Sequence, residues 1–327
     1  MNRRRVRCEY QHWPYRHPLA ISREVMRGQD VVLVTLSDGD ATGRGEGSPS
    51  TRYGETPASS LGAIESLVPA LEAGLGREEL QQRLPPGAAR NAVDCALWDL
   101  EAKQAGVRVW ELARLPAPNH VQSAQTIGLD TPEAMAEAAA AAWSPLLKLK
   151  LGGIGDIERV QAVRRAAPHA RLLVDANEAW TVEQLQLFPS LMTAFGVELI
   201  EQPLPATDDA ELDRIRSPIA LGADESFHDS NTLDRALGRY QVVNIKLDKT
   251  GGLTEALRLK TAAERLGLRI MVGCMGGTSL AMAPALLLAT DATIADLDGP
   301  LILEHDRVPG LRYERGVIRP FGPDLWG

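Results

Sequence analysis

From about Val121 onward the sequence repeats one pattern, in which a short apolar run is followed by a loop and then by a helix-like segment. Predicted helices separate these runs, and one of them starts at Thr131, a typical N-cap that is followed by Pro132. The pattern predicts eight strands, at 121–128, 146–151, 171–176, 197–201, 219–223, 242–247, 269–273 and 293–297. Eight parallel strands that alternate with helices close into a (β/α) barrel. A doubly wound parallel sheet is the alternative.

The first third of the chain follows a different pattern. The run 31–36 (VVLVTL) predicts a strand, and the Asp38-Gly39 pair after it predicts a hairpin turn. Two helices are predicted next, one starting near Pro57 and one ending at Gly106. This segment therefore predicts a small α+β domain.

We expect an α/β chain of two domains. The small α+β domain covers residues 1–118, and a modified (β/α) barrel covers residues 119–303. After residue 303 the repeat is lost, so we expect the segment 304–327 to return to the small domain and complete it.

Composition narrows the class of protein. The chain has 327 residues and a net charge of −8, which argues against nucleic acid or an anionic membrane as the main partner. The three cysteines are scattered and form no CxxC, and no apolar h-region follows the basic start, so we expect a cytoplasmic protein. No apolar run is long enough to span a bilayer.

Three acidic residues stand at the ends of three successive predicted strands: Asp175 in LLVDAN, Glu201 in ELIEQP and Asp224 in ALGADES. A single acidic residue after a strand is more often a turn or helix cap. Three in succession, at the strand ends where barrel enzymes place their sites, predict a metal site. Oxygen ligands alone indicate Mg²⁺, with Mn²⁺ also possible. Asn177 and Glu225 could orient these ligands or could simply cap loops.

Lysines flank the acidic residues along the chain. Lys148 and Lys150 in LLKLKL share one face of a strand, and a pair this close should lower the pKa of one of them. An exposed edge strand is the alternative explanation. On the other side of the acidic residues, Lys246 lies within a predicted strand, whereas Lys249 lies beyond it, so we prefer Lys246 as the functional residue.

The last predicted strand ends in ADLDGP, which places Asp296 and Asp298 on one face. Two inward carboxylates without a cation of their own predict binding of a positive group, and a substrate ammonium is the natural candidate. A solvated turn is the alternative.

Taken together, KLK, VDAN, IEQP, GADES, NIKLDKTGG, GCMGGTS and DLDGP resemble the motifs of the enolase superfamily. More narrowly, they resemble its muconate-lactonizing subgroup and, within it, the dipeptide epimerases of the Ala-Glu type. RYGET (52–56) and NAVDCALWDLEAK (91–103) also resemble the capping domain of that family.

The resemblance implies an α+β capping domain joined to a modified barrel, with one Mg²⁺ per subunit held by Asp175, Glu201 and Asp224. Lys150 and Lys246 would be the acid/base pair on opposite faces of the α-carbon. Their action would epimerise a dipeptide at its C-terminal residue through an enediolate, as in recycling of cell-wall peptide.

The remaining substrate contacts are also implied by the resemblance. Lys148 would neutralise charge on the substrate carboxylate, and Asp296 and Asp298 would bind the α-ammonium group. A mobile capping-domain loop at about 17–30 would help to select the second residue, with Arg23 or Arg27 as a partner for an acidic side chain. Either arginine could also be simply solvated.

Two alternatives stay open. The same scaffold supports o-succinylbenzoate synthase or cycloisomerase reactions, although their substrates carry no ammonium group. A metal-dependent binding protein without catalysis would leave lysines on both sides of the metal unexplained. The resemblance also allows a homo-oligomer.

Overall fold

The computed structural model describes residues 4–327. Strands β1 (Arg5–Ala20), β2 (Val25–Asp38) and β3 (Ala41–Gly47) form an antiparallel sheet in chain order. The hairpin turn predicted at Asp38-Gly39 is confirmed, since Gly39 connects β2 to β3 with a φ of 60°. The strand predicted at 31–36 is the inner part of β2.

The segment 17–30 is the tip of a long hairpin rather than a loop over its whole length, so the expected extent of the loop is wrong. Its mobility and its part in substrate selection stay predictions. Strands β1 and β2 pair from Arg5 opposite Ser37 as far as Ala20 opposite Val25, with a shift of register near Pro14. Only the turn 21–24 lies outside the two strands, because backbone pairing continues through a segment that lacks a clear apolar alternation.

Four helices follow this sheet: α1 (Pro57–Glu72), α2 (Arg77–Arg83), α3 (Ala88–Ala105) and α4 (Val109–Leu112). Helix α3 packs closely across β3. A Cβ atom at Gly43, Gly45 or Gly47 would lie within 2.1–2.2 Å of a carbonyl oxygen of α3, so only glycine permits this contact. Gly106 ends α3 in the left-handed conformation, as predicted.

The barrel contains the eight predicted strands, which confirms the fold class. Parallel strands lie side by side in chain order: β5 (Gln125–Ile127), β6 (Leu146–Lys150), β7 (Arg171–Asp175), β8 (Val197–Glu201), β9 (Ala220–Ala223), β10 (Val242–Lys246), β11 (Arg269–Gly273) and β12 (Ile294–Ala295). The two ends of the sheet approach each other where Ser123, two residues before β5, forms a parallel bridge with Ala295 of β12. The expected strand at 121–128 is split into two strands, because β4 (Val121–Gln122) pairs with residues 317–318 near the end of the chain and not with the barrel sheet.

Along the chain, helices lie between these strands: α5 (Pro132–Ala140), α6 (Asp156–Ala166), α7 (Val182–Thr193), α8 (Leu233–Ala236), α9 (Leu247–Thr250), α10 (Leu253–Arg265) and α11 (Ser279–Ala289). Helix α12 (Gly299–Ile302) follows the last strand. Apolar side chains fill the interior from one end: Ala124, Leu146, Leu173, Leu199, Val242, Met271 and Ile294. Side chains along a strand alternate between its two faces. On several strands, the residues two and four positions after this apolar layer therefore also point inward. These positions can hold polar groups at the carboxyl end of the barrel.

The segment after the barrel contacts both parts of the chain. Strands β13 (Tyr313–Glu314) and β14 (Val317–Ile318) form a small sheet with β4. Farther on, Trp326 donates a hydrogen bond to the carbonyl of Cys95 in α3. These contacts support the expected return to the small domain, and the domain boundaries at residues 118 and 303 stay predictions.

Among the helices of residues 4–327, none has both the length and the apolar character needed to cross a membrane.

Candidate active site

The three predicted metal ligands lie together at the carboxyl ends of neighbouring strands. Asp175 ends β7, Glu201 ends β8, and Asp224 follows β9 directly. One carboxylate oxygen of each lies within 4.8 Å of those of the other two, and all three side chains are buried. Burying three carboxylates together is unfavourable without nearby positive charge, so the cluster requires cations.

The turns that follow these strands contain an unusual backbone conformation. Asn177, Glu178 and Gln202 adopt positive φ angles of 43°, 68° and 34°, although none is glycine. The buried side chain of Gln202 accepts hydrogen bonds from the backbone N–H groups of Asp224 (3.0 Å) and Ser226 (3.1 Å). Strained turns of this kind persist where the surroundings hold them in place. Gln202 thereby fixes Asp224 relative to Glu201.

The KxK lysines point into the barrel, which excludes the exposed edge strand. The Nζ atom of Lys150 lies 2.7 Å from Oδ2 of Asp175. The Nζ atom of Lys148 lies 3.1 Å from the same oxygen, and 2.8 Å from both Oε2 of Glu201 and Oδ2 of Asp296. Burial alone would lower the pKa of Lys148, but these carboxylates raise it well above its usual value. The two lysines in turn hold the pKa of Asp175 below its usual range despite burial.

Lys246 and Lys249 both contact Asp224, but they lie in different positions relative to the cavity. Lys246 ends β10, donates to Oδ2 of Asp224 at 2.7 Å, and lines the cavity described below. Lys249, in α9, is fully buried and donates to Oδ1 of Asp224 (2.6 Å) and to the carbonyl of Asn244 (3.0 Å). Lys249 is not among the residues that line the cavity. The position of Lys246 supports the preference for it as the functional residue.

The donor set fits a hard divalent cation. Four buried acceptor oxygens in this region lack a hydrogen bond within residues 4–327: Oδ1 of Asn244, Oδ1 of Asn177, Oε2 of Glu225 and Oδ1 of Asp296. Oε2 of Glu201 has only its ion pair with Lys148. Burial raises the pKa of Glu201 to about 7 despite the nearby Lys148. Unsatisfied oxygens and an underpaired carboxylate are the features that a cation ligated by oxygen would relieve.

The cavity, of about 260 Å³, lies between the hairpin tip and the barrel. The site residues that line it are Lys148, Lys150, Asn177, Asp224, Glu225, Lys246, Asp296 and Asp298. Asp298 accepts hydrogen bonds from the N–H (2.7 Å) and hydroxyl (3.3 Å) of Thr126 on β5. Burial and the neighbouring Asp296 raise the pKa of Asp298 to about 7. Both aspartates are buried, so they are not a solvated turn.

The two arginines predicted as candidate partners of the substrate side chain, Arg23 and Arg27, differ in their position relative to the cavity. Arg23 lines the cavity, and its Nη1 atom lies 2.9 Å from Oε1 of Glu225. Arg27 is exposed and is not among the lining residues. Sequence reasoning did not identify Arg52, which binds Glu178 through two hydrogen bonds of 2.8 and 2.7 Å. No sequence signal pairs these two residues, since they are 126 positions apart.

Two family models together match most of the chain. Residues 3–113 match the N-terminal domain of mandelate racemase/muconate lactonizing enzyme. Residues 131–321 match the enolase C-terminal domain-like family.

Two curated relatives are each 46% identical to this chain. The L-Ala-D/L-Glu epimerase of Escherichia coli (strain K12) aligns over 96% of this chain and 99% of its own. The N-acetyl-D-glutamate racemase of a Pseudoalteromonas species aligns over 91% of this chain and 95% of its own.

Two solved structures that resemble this chain are also described as dipeptide epimerases or as related to them. A protein from Agrobacterium tumefaciens with homology to dipeptide epimerases, bound to sodium and L-Ala-L-Glu, has a TM-score of 0.97 and 49% identity, covering 99% of this chain and 100% of that one. A dipeptide epimerase from Enterococcus faecalis, complexed with Mg and L-Leu-L-Tyr, has a TM-score of 0.89 and 28% identity, covering 98% of each chain. The chain therefore belongs to the mandelate racemase/muconate lactonizing branch of the enolase superfamily and is an isomerase.

Proposed function

We propose that this protein epimerises a dipeptide of the L-Ala-D/L-Glu type at the α-carbon of its C-terminal residue, in a reaction that depends on Mg²⁺. The observation that carries the proposal is the placement of Lys150 and Lys246. These residues end β6 and β10, which are four strands apart in an eight-stranded barrel and so lie on opposite sides. Both line the same cavity, with the acidic cluster between them.

Asp175, Glu201 and Asp224 would hold the Mg²⁺ ion. When bound, the ion supplies positive charge that stabilises the negative charge developing on the substrate carboxylate as the α-proton leaves. The buried ammonium group of Lys148, whose raised pKa keeps it charged, adds to this stabilisation.

The two remaining lysines perform the proton transfers. One lysine, as the neutral amine, removes the α-proton and becomes an ammonium group. The other, already an ammonium group, returns a proton to the opposite face of the planar enediolate. The α-carbon is inverted, no atom is gained or lost, and the roles of Lys150 and Lys246 exchange in the reverse direction.

The ends of the substrate are recognised by two further groups. Asp296 and Asp298 would bind the α-ammonium group of the first residue. Arg23 would bind the side-chain carboxylate of the second residue, in preference to Arg27, because only Arg23 lines the cavity. The L-Ala-L-Glu ligand named for the Agrobacterium tumefaciens protein and the activity named for the Escherichia coli relative support this substrate class.

Racemisation of an N-acylated glutamate is the second candidate, because the Pseudoalteromonas relative is also 46% identical. An N-acyl group carries no positive charge, and the buried carboxylate of Asp298, which has no cation within 4 Å in residues 4–327, would then lack a counter-charge. The same argument disfavours o-succinylbenzoate synthase and cycloisomerase reactions. A binding protein without catalysis would not need lysines on both sides of the metal site.

Proton NMR of the purified protein with Mg²⁺ and L-Ala-L-Glu in D₂O tests the proposal. We expect loss of the Glu α-proton signal together with new L-Ala-D-Glu resonances. Conversion of N-acetyl-glutamate without conversion of the dipeptide would contradict the proposal and favour the second candidate. The cytoplasmic location and a homo-oligomeric state stay predictions.

A further inference from the structure

Arg23 is attached to the barrel through one side of its guanidinium group. Its Nη1 atom lies 2.9 Å from Oε1 of Glu225, 3.5 Å from the carbonyl oxygen of Asn177 and 3.9 Å from Oε2 of Glu178. Within residues 4–327, its Nε and Nη2 atoms donate no hydrogen bond, and both hydrogen bonds of the guanidinium group come from Nη1. These two atoms form the edge of the guanidinium group that binds a carboxylate through two parallel hydrogen bonds.

Glu225 is the main counter-ion of Arg23. Glu178 already accepts two hydrogen bonds from Arg52 and one from the backbone of Ala206. The Glu225 carboxylate is only 2% exposed, and its other hydrogen bond is from the side-chain amide of Asn177 at 3.2 Å. Withdrawal of Arg23 would leave this carboxylate buried without a cation, which is strongly unfavourable.

The turn that carries Arg23 has a second attachment. The hydroxyl group of Ser22 donates a hydrogen bond of 2.9 Å to the carbonyl oxygen of Asn177. Two neighbouring residues of the hairpin tip are thus bound to the barrel beside the cavity. Their attachment fixes the position of the open edge of Arg23.

From these contacts we propose that Glu225 is a positioning residue for substrate specificity. This inference rests on the proposed function, in which Arg23 binds an acidic second residue. Glu225 touches Arg23, and it orders the arginine before substrate arrives. Binding a carboxylate side chain then requires no further ordering of Arg23, which favours L-Ala-L-Glu over its neutral isostere L-Ala-L-Gln.

The test compares kcat/KM for L-Ala-L-Glu with kcat/KM for L-Ala-L-Gln in the wild type and in Glu225→Gln. We expect the ratio to fall by about 3- to 10-fold, mainly through a higher KM for L-Ala-L-Glu, because Arg23 loses its fixed position. Ser22→Ala should lower the ratio in the same direction. The Ser22 hydroxyl contacts the carbonyl oxygen of Asn177 and no proposed metal ligand, so Mg²⁺ affinity measured for both variants separates positioning from damage to the metal site.

Glu24→Gln is the matched control. Glu24 belongs to the same turn and lines the cavity, but its side chain forms no hydrogen bond or ion pair in the described part of the chain. This variant removes the same charge as Glu225→Gln without releasing Arg23. Its selectivity ratio should stay constant or rise.

Three outcomes would overturn the inference. A higher ratio in Glu225→Gln would mean that Glu225 competes with the substrate for Arg23. An equal loss for both dipeptides would mean that Glu225 acts through Asp224. A fall in the ratio of Glu24→Gln as large as that of Glu225→Gln would indicate a general charge effect. If the wild type converts neither dipeptide, the proposed function itself fails, which is a distinct result.

Discussion

The ammonium group of Lys148 lies 2.8 Å from Oδ2 of Asp296 inside the barrel. The same ammonium group lies 2.8 Å from Oε2 of Glu201, so one lysine connects the proposed metal site to the proposed ammonium site. Asp296 therefore already has a cation partner. Asp298 has none within 4 Å in residues 4–327 and accepts hydrogen bonds only from Thr126. The negative charge available to a substrate ammonium is thus concentrated on Asp298.

Replacement Asp298→Asn should weaken dipeptide turnover strongly. Removing one partner of a buried charge pair lowers kcat/KM for L-Ala-L-Glu by about 30-fold or more, chiefly through KM. Steady-state kinetics by polarimetry measure this loss, with circular dichroism to verify folding. An unaffected rate would exclude Asp298 as the ammonium partner.

The pH dependence of turnover follows from the same residue. Because burial and Asp296 raise the pKa of Asp298 to about 7, the group is largely protonated below that pH and loses its attraction for an ammonium group. We expect kcat/KM for L-Ala-L-Glu to fall as pH decreases below about 7. The Asp298→Asn variant should lack this acidic decline, and a decline that persists in the variant would assign it to another group.

Metal dependence is tested at Glu201. Chelation with EDTA should abolish α-proton exchange, and Mg²⁺ should restore it. Glu201→Gln should weaken Mg²⁺ binding, measured by isothermal titration calorimetry, at least roughly tenfold, since even outer partners of a metal ligand contribute this much. Glu198→Gln is a control on the same strand, because Glu198 is exposed and pairs with Arg171. Equal metal affinity in both variants would contradict the assignment of Glu201.

Stability can be tested at Gly276, which lies beside the cavity. This residue has a φ of 95°, and an added Cβ would lie 2.3 Å from Oε1 of the buried Gln29. Gly276→Ala should therefore lower the free energy of unfolding by about 1–3 kcal/mol. Gly62→Ala, inside α1 with no atom near the added Cβ, should instead raise it by up to about 1 kcal/mol. Thermal unfolding measures both, and an unchanged Tm for Gly276→Ala would contradict the packing described.

The sequence predicted the barrel strands well because each is a short apolar run bounded by loops. It also located the acidic residues and the KxK pair, since strand ends and strand parity are visible in one dimension. Asp175 and Glu201 stand at the predicted strand ends, and Lys148 and Lys150 share the predicted inward face.

Features that depend on distant residues could not be predicted in this way. The pairing of Arg52 with Glu178, the contact of Arg23 with Glu225 and the support of Asp298 by Thr126 join residues at least 126 positions apart. The resemblance to the family implied a loop at 17–30, and no clear apolar alternation in that segment indicated the backbone pairing of β1 with β2 that extends through it.

In the proposed mechanism, Lys150 and Lys246 act on opposite faces of one carbon. Proton exchange of L-Ala-L-Glu and L-Ala-D-Glu in D₂O, followed by NMR for Lys150→Met and Lys246→Met, tests it most directly. We predict that neither variant converts one epimer into the other. Each variant should still exchange the α-proton of a single epimer, and the two variants should differ in which epimer that is. If one variant exchanges both epimers while the other exchanges neither, a single lysine serves both faces and the two-lysine account is wrong.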